Sequence, residues 1–225
     1  MDQQVNFLTA STRCKINNMF TLEQANEIYK GNSSRGFYAG SDKPYFEKHQ
    51  RLEMNKELAE ASEAHKKGLF TPKRDKRHIL TLVEVESPNF AQNFKEEIKD
   101  TFEDEIADFC IRALDFLGWL KAQEKTTTGL PTRGSGKTAE QIFENYESLR
   151  NHRIGIPKEV ENPKGKYAVS AAIFTIMESV QDNQLEYGLL YAEILSEQLG
   201  INLAKHIELK LAFNATRARL HGKKY

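Results

Sequence analysis

Apolar residues recur along most of this chain at intervals of three and four, the spacing that places side chains on one face of an α-helix. Strand-like patterns are almost absent. The apolar segment 79–85 is long enough for a short strand, but it stands alone between basic and proline-containing flanks, and we interpret it as a loop or a helix-packing segment. The pattern predicts an all-α fold with helices near residues 21–30, 44–68, 90–121, 138–152, 166–182 and 185–217, the last broken near Gly200.

Local signals mark several of the predicted helix ends. Pro44 stands near the start of the second predicted helix, and proline is favoured in a first helical turn. Gly68 follows two lysines and is a typical helix stop. Asn202 can cap the last helix with its side chain. Between these helices, residues 69–89 and 124–137 are expected to form long loops.

The third predicted helix carries charged residues into an apolar environment. After Asp108 nearly every residue up to Leu120 is apolar, and a helix that is apolar on all sides is buried. Asp108, Arg112 and Asp115 are therefore expected in or beside the interior. A buried carboxylate is costly unless it is paired or bound to a metal. Arg112 lies one turn from both aspartates and is predicted to pair with Asp108 or Asp115.

Two acidic pairs have the spacing of adjacent turns on one helix face. Glu57 and Glu60 lie on the second predicted helix, and Glu105 and Asp108 lie on the third. Such oxygen ligands suit magnesium or manganese, whereas zinc prefers histidine and cysteine, which show no comparable grouping here. The pairs predict a metal site between the two helices. A solvated acidic face is the alternative for the second helix, and an internal ladder of ion pairs for the third.

The C-terminal segment has a basic face. Lys210, Asn214 and Arg217 are spaced by four and three residues, so a helix would present an ammonium, an amide and a guanidinium on one side. His221 and Lys223 follow in the tail. Lysine and arginine are the usual partners of phosphate oxygens, so beside an acidic metal site these residues predict phosphate binding. A solvated basic end that complements the helix dipole is the alternative.

Composition excludes several classes of protein. The 225 residues include 32 basic and 32 acidic ones, so the net charge is zero and the basic excess of a nucleic-acid binder is missing. Two cysteines argue against a disulfide framework and favour a reducing compartment. The N-terminus lacks the apolar core of a signal peptide, and the longest apolar stretch, 109–120, is too short to span a bilayer. We expect a cytoplasmic protein with no membrane partner and no stable nucleic-acid partner.

Four segments together resemble the MazG-like all-α nucleoside triphosphate pyrophosphohydrolases, in particular their small phage and bacterial branch. That family is marked by a Glu-x-x-Glu pair on one helix and a Glu-x-x-Asp pair on a later one. Here the pairs read Glu57-Leu-Ala-Glu60 and Glu105-Ile-Ala-Asp108. The resemblance covers roughly residues 25–120 and 199–225, in the order GFYAG, KELAEASEAHKKG, FEDEIADFCIRALD and HIELKLAFNATRARLHGKK.

The resemblance implies a helical bundle in which four acids, Glu57, Glu60, Glu105 and Asp108, hold Mg²⁺ (or Mn²⁺) and form the catalytic centre. It implies hydrolysis of a (d)NTP to the monophosphate and pyrophosphate. Our own hypothesis is that a carboxylate not fully used by the metal, Glu57 or Glu60, orients the attacking water. A homodimer or a higher homo-oligomer is also implied, because family members build four-helix bundles across subunits. The implied substrate-binding residues are Lys210, Asn214, Arg217, His221, Lys223 and Arg112.

One region departs from the family pattern. Residues 121–198 stand between the third helix and the last, which the related branch connects almost directly. The chain is therefore divided into residues 1–120 with both acidic motifs, a helical insertion over 121–198, and residues 199–225 with the C-terminal helix and basic tail. The insertion is expected to pack through the apolar residues Tyr167, Ala171, Phe174, Ile176, Met177 and Val180.

Rival interpretations make different predictions. The segment GLPTRGSGK resembles a P-loop, but Pro131 stands where that motif requires glycine, so Arg133 and Lys137 could at most contact phosphate from a mobile loop. A non-catalytic helical module that binds a partner is the main alternative. It predicts that Glu57→Ala or Asp108→Ala changes folding without removing any hydrolytic activity. A His-Asp phosphodiesterase is excluded because no histidine is followed by aspartate.

Overall fold

The computed structural model describes residues 19–39, 41, 45–71, 85, 87–127 and 136–217. Within these residues the fold is all-α, as predicted, and the β pairing is one isolated bridge between Thr126 and Thr138. No helix of this part is both long and apolar enough to cross a membrane. The helices are α1 (Leu22–Ser34), α2 (Phe46–Lys67), α3 (Phe90–Glu97), α4 (Phe102–Ala122), α5 (Ala139–His152), α6 (Lys158–Glu161), α7 (Lys166–Gln181), α8 (Leu185–Gln198) and α9 (Leu203–Ala215).

Helix α4 is the centre of the fold. Its sequence is apolar nearly all round and most of its residues are buried. Helices α1, α2, α5, α8 and α9 pack against it. Gly118 allows α1 to come close, since a Cβ atom here would lie 2.2 Å from the carbonyl oxygen of Ala25. Because α4 is enclosed on several sides, its charged side chains must find partners on neighbouring helices.

Most helix ends follow the signals in the sequence. Gly68 ends α2 in the left-handed conformation, with φ of 70°. Asn202 caps α9, where its side chain accepts a hydrogen bond of 3.2 Å from a backbone N–H of the first turn. The predicted break near Gly200 separates α8 from α9. Pro44 and residues 79–84 lie outside the described residues.

The prediction of one continuous helix over residues 90–121 is wrong. The structure has two helices, α3 and α4, joined by a tight turn in which Asp100 adopts a left-handed φ of 63°. Thr101 then caps α4, with its hydroxyl accepting a hydrogen bond of 3.3 Å from the Asp104 N–H. The apolar spacing continues through the turn, so the pattern does not reveal the break. Caps and turns of this kind act locally, whereas the periodicity reports only which face is buried.

The insertion shares its hydrophobic core with the rest of the chain. Helix α7 packs against α2, and α8 packs against α4, α5 and α7. One core therefore joins Val169 and Leu189 of the insertion to Met54 of α2 and Leu114 of α4. The helices that carry the acidic motifs are thus supported from one side by the insertion.

The predicted packing of α7 is correct for one face of that helix and wrong for the other. Ile176 and Val180 are buried, as expected. Tyr167 and Phe174, however, are 82% and 59% exposed, and Ala171 is exposed as well. Helix α7 is apolar on both sides, so composition alone cannot tell which side meets the core.

Candidate metal centre

Helices α2 and α4 bring three carboxylates together. Glu57 and Glu60 lie one turn apart on α2, and Glu105 lies in the first turn of α4. Oxygen atoms of these three residues all lie within 4.8 Å of one another, and we call them the α2–α4 carboxylate cluster. Glu57 and Glu105 are buried, whereas the side chain of Glu60 is 45% exposed. The cluster contains three of the four metal ligands expected from the sequence.

Glu105 is the least compensated acid of the cluster. Its pKa is raised to about 8, first by burial and then by the charges of Asp104 and Asp108. No lysine, arginine or histidine of the described residues forms an ion pair with Glu105. Burial also raises the pKa of Glu57, although Arg112 opposes this effect. A bound cation would favour the charged form of both side chains.

Arg112 joins α4 to α2 across the helix interface. Its Nε donates to Glu57 Oε1 at 2.6 Å, and its Nη2 lies 3.6 Å from Glu53 Oε2. The prediction that Arg112 pairs with Asp108 or Asp115 is therefore wrong. Those two aspartates are engaged by other helices, and the face of α2 that packs on α4 supplies glutamates at the level of Arg112.

The fourth predicted ligand, Asp108, is bound by a lysine. Lys210 extends from α9 and places its Nζ 2.7 Å from Asp108 Oδ2 and 2.8 Å from Asp104 Oδ2. Burial by itself lowers the pKa of Lys210, but the two carboxylates outweigh burial and raise it, so the side chain is charged. The structure thus holds this expected substrate-binding residue in a buried contact with two aspartates.

Asp104, which was not among the residues predicted from the sequence, lies beside the cluster and shares Lys210 with Asp108. It is fully buried, and its Oδ2 accepts a hydrogen bond of 3.1 Å from the Asp100 N–H as well as the one from Lys210. Burial raises the pKa of Asp104 to about 6, and Lys210 opposes the rise. The spacing of Thr101 and Asp104 is a local signal, but it indicates a helix cap and not a partner for a distant lysine.

The remaining expected substrate residues lie at the end of α9 or beyond it. The backbone carbonyl of Asn214 accepts a hydrogen bond of 2.9 Å from Arg35 Nη1. Its side-chain oxygen is buried, with no hydrogen-bond partner among the described residues. Arg217 is exposed just after the helix. His221 and Lys223 lie outside the described residues.

A polar network that was not predicted from the sequence joins α1 to α4. Asp115 Oδ2 accepts a hydrogen bond of 2.7 Å from Asn32 Nδ2, and Asn32 Oδ1 accepts one of 2.6 Å from Arg35 Nη2. Burial raises the pKa of Asp115 to about 7, against the hydrogen bond from Asn32. Because Arg35 also binds Asn214, the network ties the end of α9 to the same two helices.

The glycine-rich segment contributes no described residue to the cluster. Lys137 forms an ion pair with Glu186, which is fully buried on α8. Arg133 lies outside the described residues. The ammonium of Lys137 therefore neutralises a buried carboxylate within the insertion. Its contact with phosphate stays a prediction.

The chemistry of the cluster fits a hard divalent cation. Its donors are all carboxylate oxygens, which suit Mg²⁺ and Mn²⁺. Among the described residues, its ion pairs are those of Arg112 with Glu57 and of exposed Lys56 with Glu60. Mg²⁺ commonly uses one or two carboxylates together with water and substrate phosphates, so three acids are enough. Glu57, Glu60 and Glu105 could therefore hold the ion, and Asp100, Asp104 and Glu105 form a second group with the same geometry.

Searches with the sequence and the structure found no matching protein-family model, no similar curated protein and no similar solved structure. The likeness to the MazG-like enzymes therefore rests on the motifs and their order along the chain. The convergence of carboxylates from α2 and α4 is a separate, geometric ground for assigning a site.

Proposed function

We propose that this chain is a magnesium-dependent nucleoside triphosphate pyrophosphohydrolase. The observation that carries the proposal is the α2–α4 carboxylate cluster, in which two helices far apart in sequence bring Glu57, Glu60 and Glu105 within 4.8 Å of one another. Structural ion pairs alone do not account for the cluster, because Glu105 has no cationic partner among the described residues. The type of reaction, cleavage between the α and β phosphates, comes from the resemblance of the motifs.

The cluster would hold Mg²⁺, with Mn²⁺ as the alternative ion of the same chemistry. When bound, the ion polarises phosphoryl oxygens and lowers the pKa of a bound water. The protein contributes the positions of the three carboxylates and a partly enclosed setting, in which charges act more strongly than in water. Glu57 is additionally oriented by its 2.6 Å hydrogen bond from Arg112.

Glu60 is the proposed acceptor for the proton of the attacking water. Glu57 accepts a hydrogen bond from Arg112 and is almost fully buried, whereas the Glu60 side chain is 45% exposed and faces an exposed lysine at 3.6 Å. A group that takes a proton must be reachable by water, which favours Glu60 over Glu57. This proposal selects Glu60 from the two residues, Glu57 and Glu60, that the sequence leaves open for the role of orienting the attacking water.

Arg112 is the proposed partner for the phosphates. Its ion pairs use Nε and Nη2, and 38% of its side chain stays exposed. An arginine has five N–H donors in a planar fork, so it can bind a carboxylate and a phosphate together. Asn214, Arg217 and the C-terminal tail are proposed to add contacts to the substrate, and a homodimer or higher homo-oligomer is part of the same proposal.

The direct test is hydrolysis of a panel of canonical and modified NTPs and dNTPs with Mg²⁺, in an assay that separates pyrophosphate from orthophosphate. The proposal predicts pyrophosphate and a monophosphate, with loss of activity on chelation. Glu60→Gln should remove most of the activity. Glu63→Gln is the matched control, because Glu63 lies on the same helix in an exposed pair with Lys67 at 2.7 Å.

Other outcomes would overturn specific parts of the proposal. Orthophosphate as the sole product would contradict the cleavage site. Equal activity of Glu60→Gln and the wild type would remove Glu60 from the reaction. A folded protein with no turnover across the panel would favour the non-catalytic helical module, for which the exposed Tyr167 and Phe174 of α7 offer a surface.

A further inference from the structure

Helix α7 of the insertion presents an apolar face that stays largely exposed. Tyr167, Ala171 and Phe174 are spaced by four and three residues, so their side chains lie on one side of the helix. Tyr167 and Phe174 are 82% and 59% exposed, and Ala171 is exposed as well. We call these three residues, together with Glu178 one turn further on, the α7 outer face. Grouped apolar side chains of this kind mark interaction surfaces, whereas single ones are common on any protein.

The opposite side of α7 is anchored in the core, so the outer face cannot turn inward. Val169, Ile173 and Ile176 are buried on that side. They belong to the same hydrophobic core as residues of α2 and α4. The orientation of the helix is therefore fixed, and the α7 outer face is a surface that is already formed in the single chain.

Charges of opposite sign lie at the two ends of the α7 outer face. Lys164 and Lys166 are exposed at the N-terminal end, where Lys166 Nζ lies 5.4 Å from the centroid of the Tyr167 ring. Glu178 is exposed near the C-terminal end. Within the part of the chain that the structure describes, none of these three charged residues forms an ion pair. Both ends of the face can therefore pair with charges of another molecule.

A second α7 outer face in antiparallel orientation fits this pattern. A two-fold axis near Ala171 would place Tyr167 of one chain against Phe174 of the other, because these residues lie on opposite sides of the axis at similar distances. The same axis would set Glu178 opposite the two lysines, so that each end of the pair joins opposite charges. The small side chain of Ala171 at the centre lets two helices approach closely. A parallel pair would instead bring like charges together at both ends.

We propose that the α7 outer face is a docking surface for a second copy of this chain, packed antiparallel about a two-fold axis near Ala171. The inference rests on the proposed function only in that both include a homo-oligomer. It places the interface in the insertion and not on the helices that carry the acidic motifs. One helix pair is small beside the interfaces of about 1,200 Å² or more that hold stable complexes, so the dimer is expected to be reversible.

Sedimentation velocity of the full chain over a dilution series tests the interface without any use of hydrolytic activity. The wild type should change from two chains per particle to one as it is diluted. Phe174→Glu should weaken self-association by about tenfold or more, because it sets a charge against the Tyr167 ring of the other copy. The matched control is Ile154→Glu, since Ile154 is 65% exposed in the insertion but lies outside α7. This control should associate like the wild type.

An exchange of charges decides whether the partner is a second copy in antiparallel orientation. Glu178→Lys alone should weaken self-association, because the new lysine would meet two lysines of the other copy. A triple variant that adds Lys164→Glu and Lys166→Glu should regain it, because both ends then join opposite charges again. A triple variant that associates no better than Glu178→Lys would overturn the antiparallel pairing.

The other outcomes separate this interface from the proposed function. A wild type that stays at one chain per particle at every concentration would overturn the interface and the homo-oligomer together. A dimer that Phe174→Glu does not weaken would overturn the interface and leave the homo-oligomer to another surface. A dimer that Phe174→Glu weakens, in a chain that hydrolyses no nucleotide, would support the interface and contradict the proposed reaction. If Phe174→Glu does not fold, Tyr167→Ser gives the same comparison at the more exposed aromatic residue.

Discussion

Two regions of the molecule bury glutamates, and they differ in whether each glutamate has a cation of its own. On α8, Glu193 and Glu186 are each matched by one cation from a neighbouring segment. Glu193 accepts a hydrogen bond of 2.8 Å from Arg150 Nε and another from the Tyr146 hydroxyl, and Glu186 pairs with Lys137. Both glutamates are fully buried. Each of the two glutamates thus forms a structural ion pair with its own cation.

In the α2–α4 carboxylate cluster the acids outnumber the cations that pair with them. Arg112 is shared between Glu57 and Glu53, while Glu105 has no ion pair among the described residues. The pKa of Glu105 is raised to about 8 by burial and by neighbouring acids, whereas burial of an acid beside its own cation has a smaller net cost. Burial is therefore common to both regions, and the excess of carboxylates over nearby cations distinguishes the α2–α4 carboxylate cluster from the ion pairs of α8.

The largest effect is expected for Glu105→Gln. The substitution removes one of the proposed metal ligands and should lower kcat/KM for the proposed nucleotide hydrolysis by about a thousandfold, because a bound metal contributes several kcal/mol to the transition state. Without Mg²⁺ the variant should be more stable than the wild type above pH 8. The folded pKa of about 8 lies above the unfolded one, so the charged form is disfavoured on folding and wild-type stability falls as pH rises toward 8. Pyrophosphate release and denaturant unfolding at pH 9 measure both effects.

The comparison would fail if Glu105→Gln were destabilised at pH 9 and kept its activity. The excess of carboxylates would then be structural, like the glutamates of α8. Thermal unfolding with and without Mg²⁺ is a second measurement. Mg²⁺ should raise the unfolding temperature of the wild type and leave that of Glu105→Gln unchanged.

A large stability effect is expected for Arg150→Met. The substitution leaves Glu193, which is 2% exposed, without its cation, so the free energy of unfolding should fall by about 3 kcal/mol. Urea unfolding at pH 8 measures the loss. Mn²⁺ binding should be unchanged, because the pair lies in the insertion and not in the cluster. A loss of metal binding in a folded Arg150→Met protein would show that the two regions are not independent.

A smaller effect is expected for Asp115→Asn, which probes a buried acid that accepts a hydrogen bond from Asn32. The pKa of Asp115 is raised by burial to about 7 in the folded chain, from an ordinary value of 3.8. The folded state therefore binds an extra proton between about pH 4 and pH 7, and stability falls as pH rises through this window. In Asp115→Asn the free energy of unfolding should fall less over this pH window than in the wild type, by about 1 to 3 kcal/mol.

Unfolding curves at pH 5 and pH 8 measure this difference. The control is Glu144→Gln, an exposed acid of α5. Parallel pH profiles for Asp115→Asn and the wild type would show that the network of Asn32 and Arg35 keeps Asp115 charged.

The smallest effect is expected for Arg153→Ala. Arg153 and Glu197 form an ion pair of 2.7 Å, but their side chains are 55% and 44% exposed. Exposed pairs contribute little, so the free energy of unfolding should change by less than about 0.5 kcal/mol. The same urea experiment as for Arg150→Met measures it. A change as large as that of Arg150→Met would mean that the exposed pair and the buried pair contribute equally to the free energy of unfolding.

The amino-acid pattern was enough to predict the fold class and to select most acids of the candidate site. Helical spacing of apolar residues is a local property, and so are Gly68 as a stop and Asn202 as a cap, which is why these predictions are confirmed. The acids of the cluster could be selected because their spacing places two of them on one helix face and because the third helix is apolar all round.

The partners of these acids, by contrast, became evident from the packing of the helices. Arg112 is bound to Glu57 and not to its neighbours on α4, and Lys210 holds Asp104 and Asp108 from a helix about a hundred residues away. Spacing within one helix cannot report such contacts, since they depend on the way that α2 and α9 pack against α4. The physical reason is that helix formation depends on neighbours in sequence, whereas charge compensation in a protein interior depends on neighbours in space.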